Sequence, residues 1–209
     1  EDAYRNCDLN FMVIDPAKTE YRFLLGSETL GKKLALFTLG TESLSPFRLN
    51  PFEFVRGFPL LTHIDLLKAV FNAAFPMYAS MPYLLEEALL KIYKERGWNI
   101  ADSTNRFVDV TNPDVDYTPY LPRLSDLYNK VDEVVASKRY DVRLTLDLTA
   151  ALKARLGSLL SGYKGLMLDT RQSISIEELL DRPVVLELQN LGDEDEKAFI
   201  MALVFILLY

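Results

Sequence analysis

Three short apolar runs constrain this chain more than any other feature: Phe11-Met-Val-Ile14, Leu34-Ala-Leu-Phe37 and Pro183-Val-Val-Leu-Glu-Leu188. A strand with one wet face alternates apolar and polar residues. Near-continuous apolar runs therefore suit parallel strands covered on both faces. Two of the runs open the chain and the third nearly closes it. Parallel neighbours need long crossovers, so the intervening stretch must return the chain to the same sheet.

That stretch reads as helical. Thr62 to Phe75 spaces Ile64, Leu67, Val70, Phe71 and Ala74 along one helix face. Ser80 to Gly97 predicts a second helix, with Ser80 as N-cap, Pro82 in the first turn and Gly97 closing it. Its buried stripe is Leu84, Ala88, Leu89, Ile92 and Tyr93. Asn99 to Pro122 carries the breakers Asn112-Pro113, Pro119 and Pro122 and reads as loop. Ser125 to Lys138 and Leu144 to Leu160 predict two further helices, and Ser175-Ile-Glu-Glu178 is a capping-box sequence opening a short one. Gly192-Asp-Glu-Asp-Glu196 places acids in the first turn of a last helix, where the helix dipole favours them. No internal repeat or low-complexity tract is evident. The expected organisation is a first part of an α/β core over residues 1–57, an all-α insertion over 58–165, and a return to the core over 166–209. Residues 1–7 read as the tail of a preceding helix.

The totals suit a folded protein: 209 residues, 49% apolar and 25% charged. A net charge of −7 gives no general attraction to phosphate backbones, so nucleic acid would be held only by local basic loops. Cys7 and His63 stand alone as cysteine and histidine, which excludes an internal disulfide and a structural zinc site built from these residues. That usage fits a reducing, cytoplasmic setting. Ala198 to Tyr209 reads AFIMALVFILLY, twelve apolar residues, too few to cross a bilayer. A core helix continuing past Tyr209 is expected instead. Its apolar surface, with Phe199, Val204, Phe205 and Leu208, is expected to self-associate.

Two segments bear on chemistry. Gly26-Ser-Glu-Thr-Leu-Gly31-Lys32 matches the opening of a phosphate loop, G-x-x-x-x-G-K, but Lys33 follows where a Ser or Thr must hold magnesium. A strand pattern, not a helix, comes next, so a turn between strands is expected. Asp15-Pro16-Ala-Lys18-Thr-Glu20-Tyr21 is more informative, because an acid at the carboxyl end of a buried parallel strand lies where α/β proteins bind ligands. The bland alternative has Asp15 capping the turn and Glu20 solvated.

FMVIDPAKTEYR resembles the strand and loop after the phosphate-loop helix in HerA-type ATPases and their type IV secretion relatives, which carry Asp-x-x-Gly-Glu-Tyr there. Asp15, Glu20 and Tyr21 match, while Lys18-Thr19 replaces the glycine region and adds one residue. Ser45-Pro-Phe-Arg-Leu-Asn-Pro-Phe52 is similar to the Asn-Pro segment before that family's helical insertion. Arg182 to Asp193 is similar to its strand and helix just before Walker B. The resemblance implies a partial RecA-like P-loop fold, with the phosphate loop upstream of Glu1 and the Walker B acids downstream of Tyr209. It implies ATP and Mg2+ in the parent protein, none bound by this stretch alone, and no catalytic residue within it. DNA, a homo-hexamer and a nuclease or effector are the implied partners. Asp15, Lys18 and Glu20 would lie near the nucleotide, and Arg155 or Arg171 would act across a subunit boundary as an arginine finger.

A helical protein-interaction module on a non-catalytic scaffold is the alternative. A Rossmann-type domain with Asp15 reading a ribose hydroxyl is a third. Elsewhere the residues read quietly. Glu187 fits a site-facing or a polar edge position equally, and His63 reads as a capping or surface residue. Cys7 reads as a small apolar residue. Phe71, Phe75, Tyr83 and Tyr93 read as core or interface aromatics, and Lys91, Lys94 and Arg96 as a solvated face.

Overall fold

The computed structural model describes residues 9–42 and 46–208. The expected helix tail at residues 1–7, Cys7, Ser45 and Tyr209 lie outside the described residues. In chain order the elements are β1 (Met12–Asp15), a 3-10 turn (Glu20–Gly26), β2 (Ala35–Thr38), α1 (Leu60–Ala74), α2 (Met81–Glu95), β3 (Trp98–Asn99), β4 (Thr104–Asn105), a second 3-10 turn (Thr118–Tyr120), α3 (Leu124–Ser137), α4 (Val142–Leu160), α5 (Gly162–Leu168), α6 (Ile176–Leu180), β5 (Val184–Glu187) and α7 (Glu194–Leu208).

The three apolar runs are the three strands of one parallel sheet, ordered β1-β5-β2. Val184 of the central strand faces Met12 on one side and Ala35 on the other, and the register runs on to Asp15, Glu187 and Thr38. All four β5 residues are buried, which is why that run shows no alternation. One face of the sheet, with Met12, Ile14, Ala35, Phe37, Val184 and Leu186, joins the core built by the helices. The opposite face, with Val13, Leu36 and Val185, packs under Leu24, Leu30 and Leu34 of the 3-10 turn and the turn that follows. Helical block and sheet thus share one core. α1 lies on α7, with Phe199 against Phe71 at 4.7 Å and Phe75 at 5.5 Å between ring centroids.

The apolar stripes of α1 and α2 fall where their spacing places them, and Ser175 Oγ accepts from Glu178 N at 3.2 Å to cap α6. Departures have local causes. α4 begins at Val142, two residues before its apolar pattern, because Asp141 caps it by accepting from Leu144 N at 3.0 Å. α5 and the first 3-10 turn are too short to show a period. The loop over 99–122 also holds a repeat that apolar periodicity does not reveal. Asp102, Asp109 and Asp116 recur every seven residues, and each accepts from the N–H and hydroxyl of a Thr two residues on, Thr104, Thr111 and Thr118. Three like turns give this loop its order. Tyr83 is 74% exposed, so only Phe71, Phe75 and Tyr93 of the four aromatics are core.

His63 corrects its expected surface position. It is 1% exposed, and its Nε2 lies 3.1 Å from the Pro51 carbonyl. Burial pushes its pKa down from 6.5 to about 4. The unfolded chain therefore binds a proton between pH 6.5 and 4 that the folded chain refuses, so stability falls as pH drops through that window. The expected loss is about 2 kcal/mol by pH 5. Urea unfolding at pH 7 and pH 5 should show it, and His63→Asn should flatten the slope.

Candidate functional site

The register places Asp15, Glu187 and Thr38 side by side at the carboxyl edge of the three strands. In-register residues of parallel strands point to the same side, here the face under the 3-10 turn. Arg22, from that turn, reaches over the edge. Its Nε donates to both Glu187 oxygens at 2.9 and 3.1 Å, and its Nη2 donates to Oε2 at 2.8 Å. Thr38 Oγ1 donates to Oε2 at 2.9 Å and accepts from Arg22 Nη2 at 3.2 Å. The Glu187 side chain is fully buried and that of Arg22 is 48% exposed. The hydrogen bonds to Glu187 raise the Arg22 pKa further, so the guanidinium stays charged.

Asp15 is almost buried, at 8% exposure. Its Oδ1 accepts from Ala17 N at 3.2 Å and Lys18 N at 3.0 Å, folding the chain back after Pro16. Its main-chain oxygen accepts from Leu188 N at 2.8 Å, tying the turn to the end of β5. Among the described residues Oδ2 has no hydrogen-bond partner, and it is shielded from solvent. A bare carboxylate oxygen inside a protein is uncommon and calls for an explanation. It can accept from a water, from a hydroxyl or from a water held by a cation. Lys18 and Glu20 pair at 3.0 Å out in solvent, and the hydrogen bond to Glu20 raises the Lys18 pKa. The cap and the bare oxygen therefore coexist in one aspartate.

Asn50 fixes the segment that leads from β2 into the helices. Its Nδ2 donates to Pro122 O at 3.1 Å and Arg171 O at 3.0 Å, and its Oδ1 accepts from Phe52 N at 3.0 Å. Its own N–H donates to Ser173 Oγ at 2.9 Å. Two distant stretches, at Pro122 and Arg171, meet the Asn50 segment on this one buried amide.

The other sequence candidates are spread out. Gly26 to Lys33 forms a turn between the 3-10 segment and β2, with no helix after it. A Cβ at Gly31 would meet Leu25 O at 2.2 Å, so glycine serves the tight turn rather than a phosphate. Arg155 donates to Pro76 O through Nε and Nη2, at 2.9 and 2.6 Å, and to Ala151 O at 2.7 Å. Arg171 donates to Pro119 O at 2.9 Å. Both guanidiniums bond main-chain carbonyls, and neither is brought to the edge that holds Asp15. Lys91 and Arg96 pair with acids of α2 and α3, which fits a solvated face. Among the described residues no group of three or more His, Cys, Asp or Glu is placed to hold a metal. The bare Asp15 oxygen fits a ligand that brings its own hydrated cation, and a phosphate cradle is not built by these residues. Sequence reasoning found Asp15, weighed Glu187 evenly and missed Arg22 and Thr38. The one usable signal was Glu187, an acid inside an otherwise apolar run.

No protein-family profile matches the chain, and no curated protein does. Among solved structures it is similar to VirB4 of Thermoanaerobacter pseudethanolicus, with TM-score 0.61 and 18% identity over 94% of this chain and 68% of that one. The likeness shows the fold: a mixed α/β, partial RecA-like core with a small parallel sheet and many helices. Among the described residues no helix is long and apolar enough to cross a membrane.

Proposed function

We propose that this chain contributes the middle of the nucleotide-binding core of an ATP-driven motor, of the kind found among HerA-type ATPases and their type IV secretion relatives. The observation that carries the reading is the bare, buried Asp15 oxygen at the carboxyl edge of a parallel sheet, beside Glu187 bridged by Arg22 and Thr38. Ligands of open α/β sheets bind outside that edge. The fold likeness to VirB4 supports the same reading.

In this proposal ATP and Mg2+ are held chiefly by a phosphate loop outside these residues. Asp15 would help hold the hydrated metal near the phosphates, and the Lys18–Glu20 pair would stand at the rim. Arg155 and Arg171, which among the described residues bond carbonyls and no acid, would act on a neighbouring subunit's phosphate, as arginine fingers do. The translocated substrate is DNA, the assembly a hexamer in the cytoplasm, and a nuclease or effector its partner. Self-association through α7 would rest on Phe205, 60% exposed, because Phe199 and Val204 are buried against the core.

The 209 residues alone are expected to hydrolyse no ATP, since the main clamp on the phosphates is missing. Isothermal titration that gives micromolar ATP affinity contradicts this. In a longer protein that includes the flanking reading frame, Asp15→Asn should lower kcat roughly tenfold or more, as loss of a metal's outer-shell partner does. A flanking frame without G-x-x-x-x-G-K-[ST] sinks the reading. The interaction-module alternative draws on α4, whose first turns expose Val142 and Leu146 at 77% and 64%. Loss of a partner on deleting the helical block, in a longer protein that shows no ATPase activity, would favour it.

A further inference from the structure

Among the described residues β2 is an edge strand, and a cleft of about 580 Å³ runs along its outer side. Ala35 N donates to Pro183 O and Leu39 N to Glu187 O, both at 2.9 Å, so the odd-numbered residues serve β5. Leu36 and Thr38 consequently turn their main-chain N–H and C=O outward, into the cleft. Leu25, Leu34, Leu36 and Phe37 give it apolar walls, and Arg182 and Arg22 both line it. Natural edges are commonly protected by charge, proline or a bulge, and Ala35-Leu-Phe-Thr38 has neither charge nor proline.

We propose that this edge binds an extended segment of a partner protein by strand addition, with alternate apolar residues on the cleft walls and a carboxylate at Arg182. Main-chain bonds to Leu36 and Thr38 supply affinity and the side-chain contacts supply selectivity. Charge identifies the occupant. Arg182 is exposed and forms no ion pair among the described residues, and Arg22 uses Nε and Nη2 on Glu187 without Nη1. The cleft therefore carries one cation that its own surroundings leave unbalanced. A second copy of β2 does not answer it, because the strand has no acid and the nearby Glu42 is held by its own Arg48 at 2.8 Å. The contact spans about 13 Å of strand, so the bound segment needs only four or five extended residues.

The test is a 15N amide titration of this chain with acetyl-Asp-Val-Thr-Val-Thr-Val-amide, beside a Lys-led version and one with proline at the third position. The Leu36 and Thr38 amides should shift and gain protection with the first peptide. Arg182→Glu, or the Lys-led peptide, should weaken binding roughly five- to tenfold through reversal of one exposed charge contact. Proline should abolish it. No shift at these amides with millimolar peptide overturns the proposal, as does binding indifferent to Arg182→Glu. A free chain already dimeric, with the Leu36 amide protected, assigns the edge to a second copy and overturns it too. The readout is independent of ATP, so its failure leaves the nucleotide reading untouched.

Discussion

Arg22→Ala should destabilise the fold by about 3 kcal/mol, the low end of the range for breaking a buried ion pair. The charge left behind is the reason. Glu187 sits at the end of the central strand with no solvent contact, and Arg22 supplies three of the four hydrogen bonds described for its carboxylate. The half-exposed guanidinium leaves room for water to enter, which keeps the cost from going higher. Glu187→Gln should cost far less, because an amide oxygen still accepts from Arg22 and no net charge is stranded. Arg22→Ala combined with Glu187→Gln should recover much of the single-variant loss. Denaturant unfolding of the three variants checks this. If Arg22→Ala alone unfolds like the unaltered chain, the bridge is a surface ornament and the edge is held by strand pairing only.

Asn50→Ala should cost about 3 kcal/mol, from the loss of three buried hydrogen bonds and the stranding of their partners. The side chain is fully buried, and it joins Pro122, Arg171 and Phe52 without help from any other group at those three atoms. Asn50→Asp should be about as harmful. Its second oxygen faces two carbonyls that need a donor, and its charge has no partner within the core. Thermal melts that put either variant within the spread of ordinary surface substitutions count against this role.

What the sequence revealed follows the range of the interaction behind each feature. Apolar runs report local burial, and they located β1, β2 and β5 to within a residue or so. The stripe from Leu84 to Tyr93 and the Ser175 cap are also local, and they too were legible. The bridge was not. It depends on register between Thr38 and Glu187, and on a turn that brings Arg22 to residues far along the chain. Glu187 could be weighed only as an acid in an apolar strand, and Arg22 looked like any surface arginine. His63 was misplaced for a related reason. Its neighbours Thr62 and Asp65 suggest solvent, while the Pro51 carbonyl that receives it belongs to another segment. Asn50 was visible as part of an Asn-Pro pattern, yet the Pro122 and Arg171 carbonyls that accept from it come from far along the chain.

The sheet order has a consequence for biosynthesis. Met12 and Ala35 meet not each other but Val184, which leaves the ribosome long after both. Among the described residues, the first two strands therefore wait for their partner while the helices between β2 and β5 condense from nearby contacts. Pairings this distant close slowly and expose sticky intermediates. Chaperone supply and translation speed over the stretch that encodes the helices and β5 should then govern yield more strongly than the thermodynamic strength of the finished sheet.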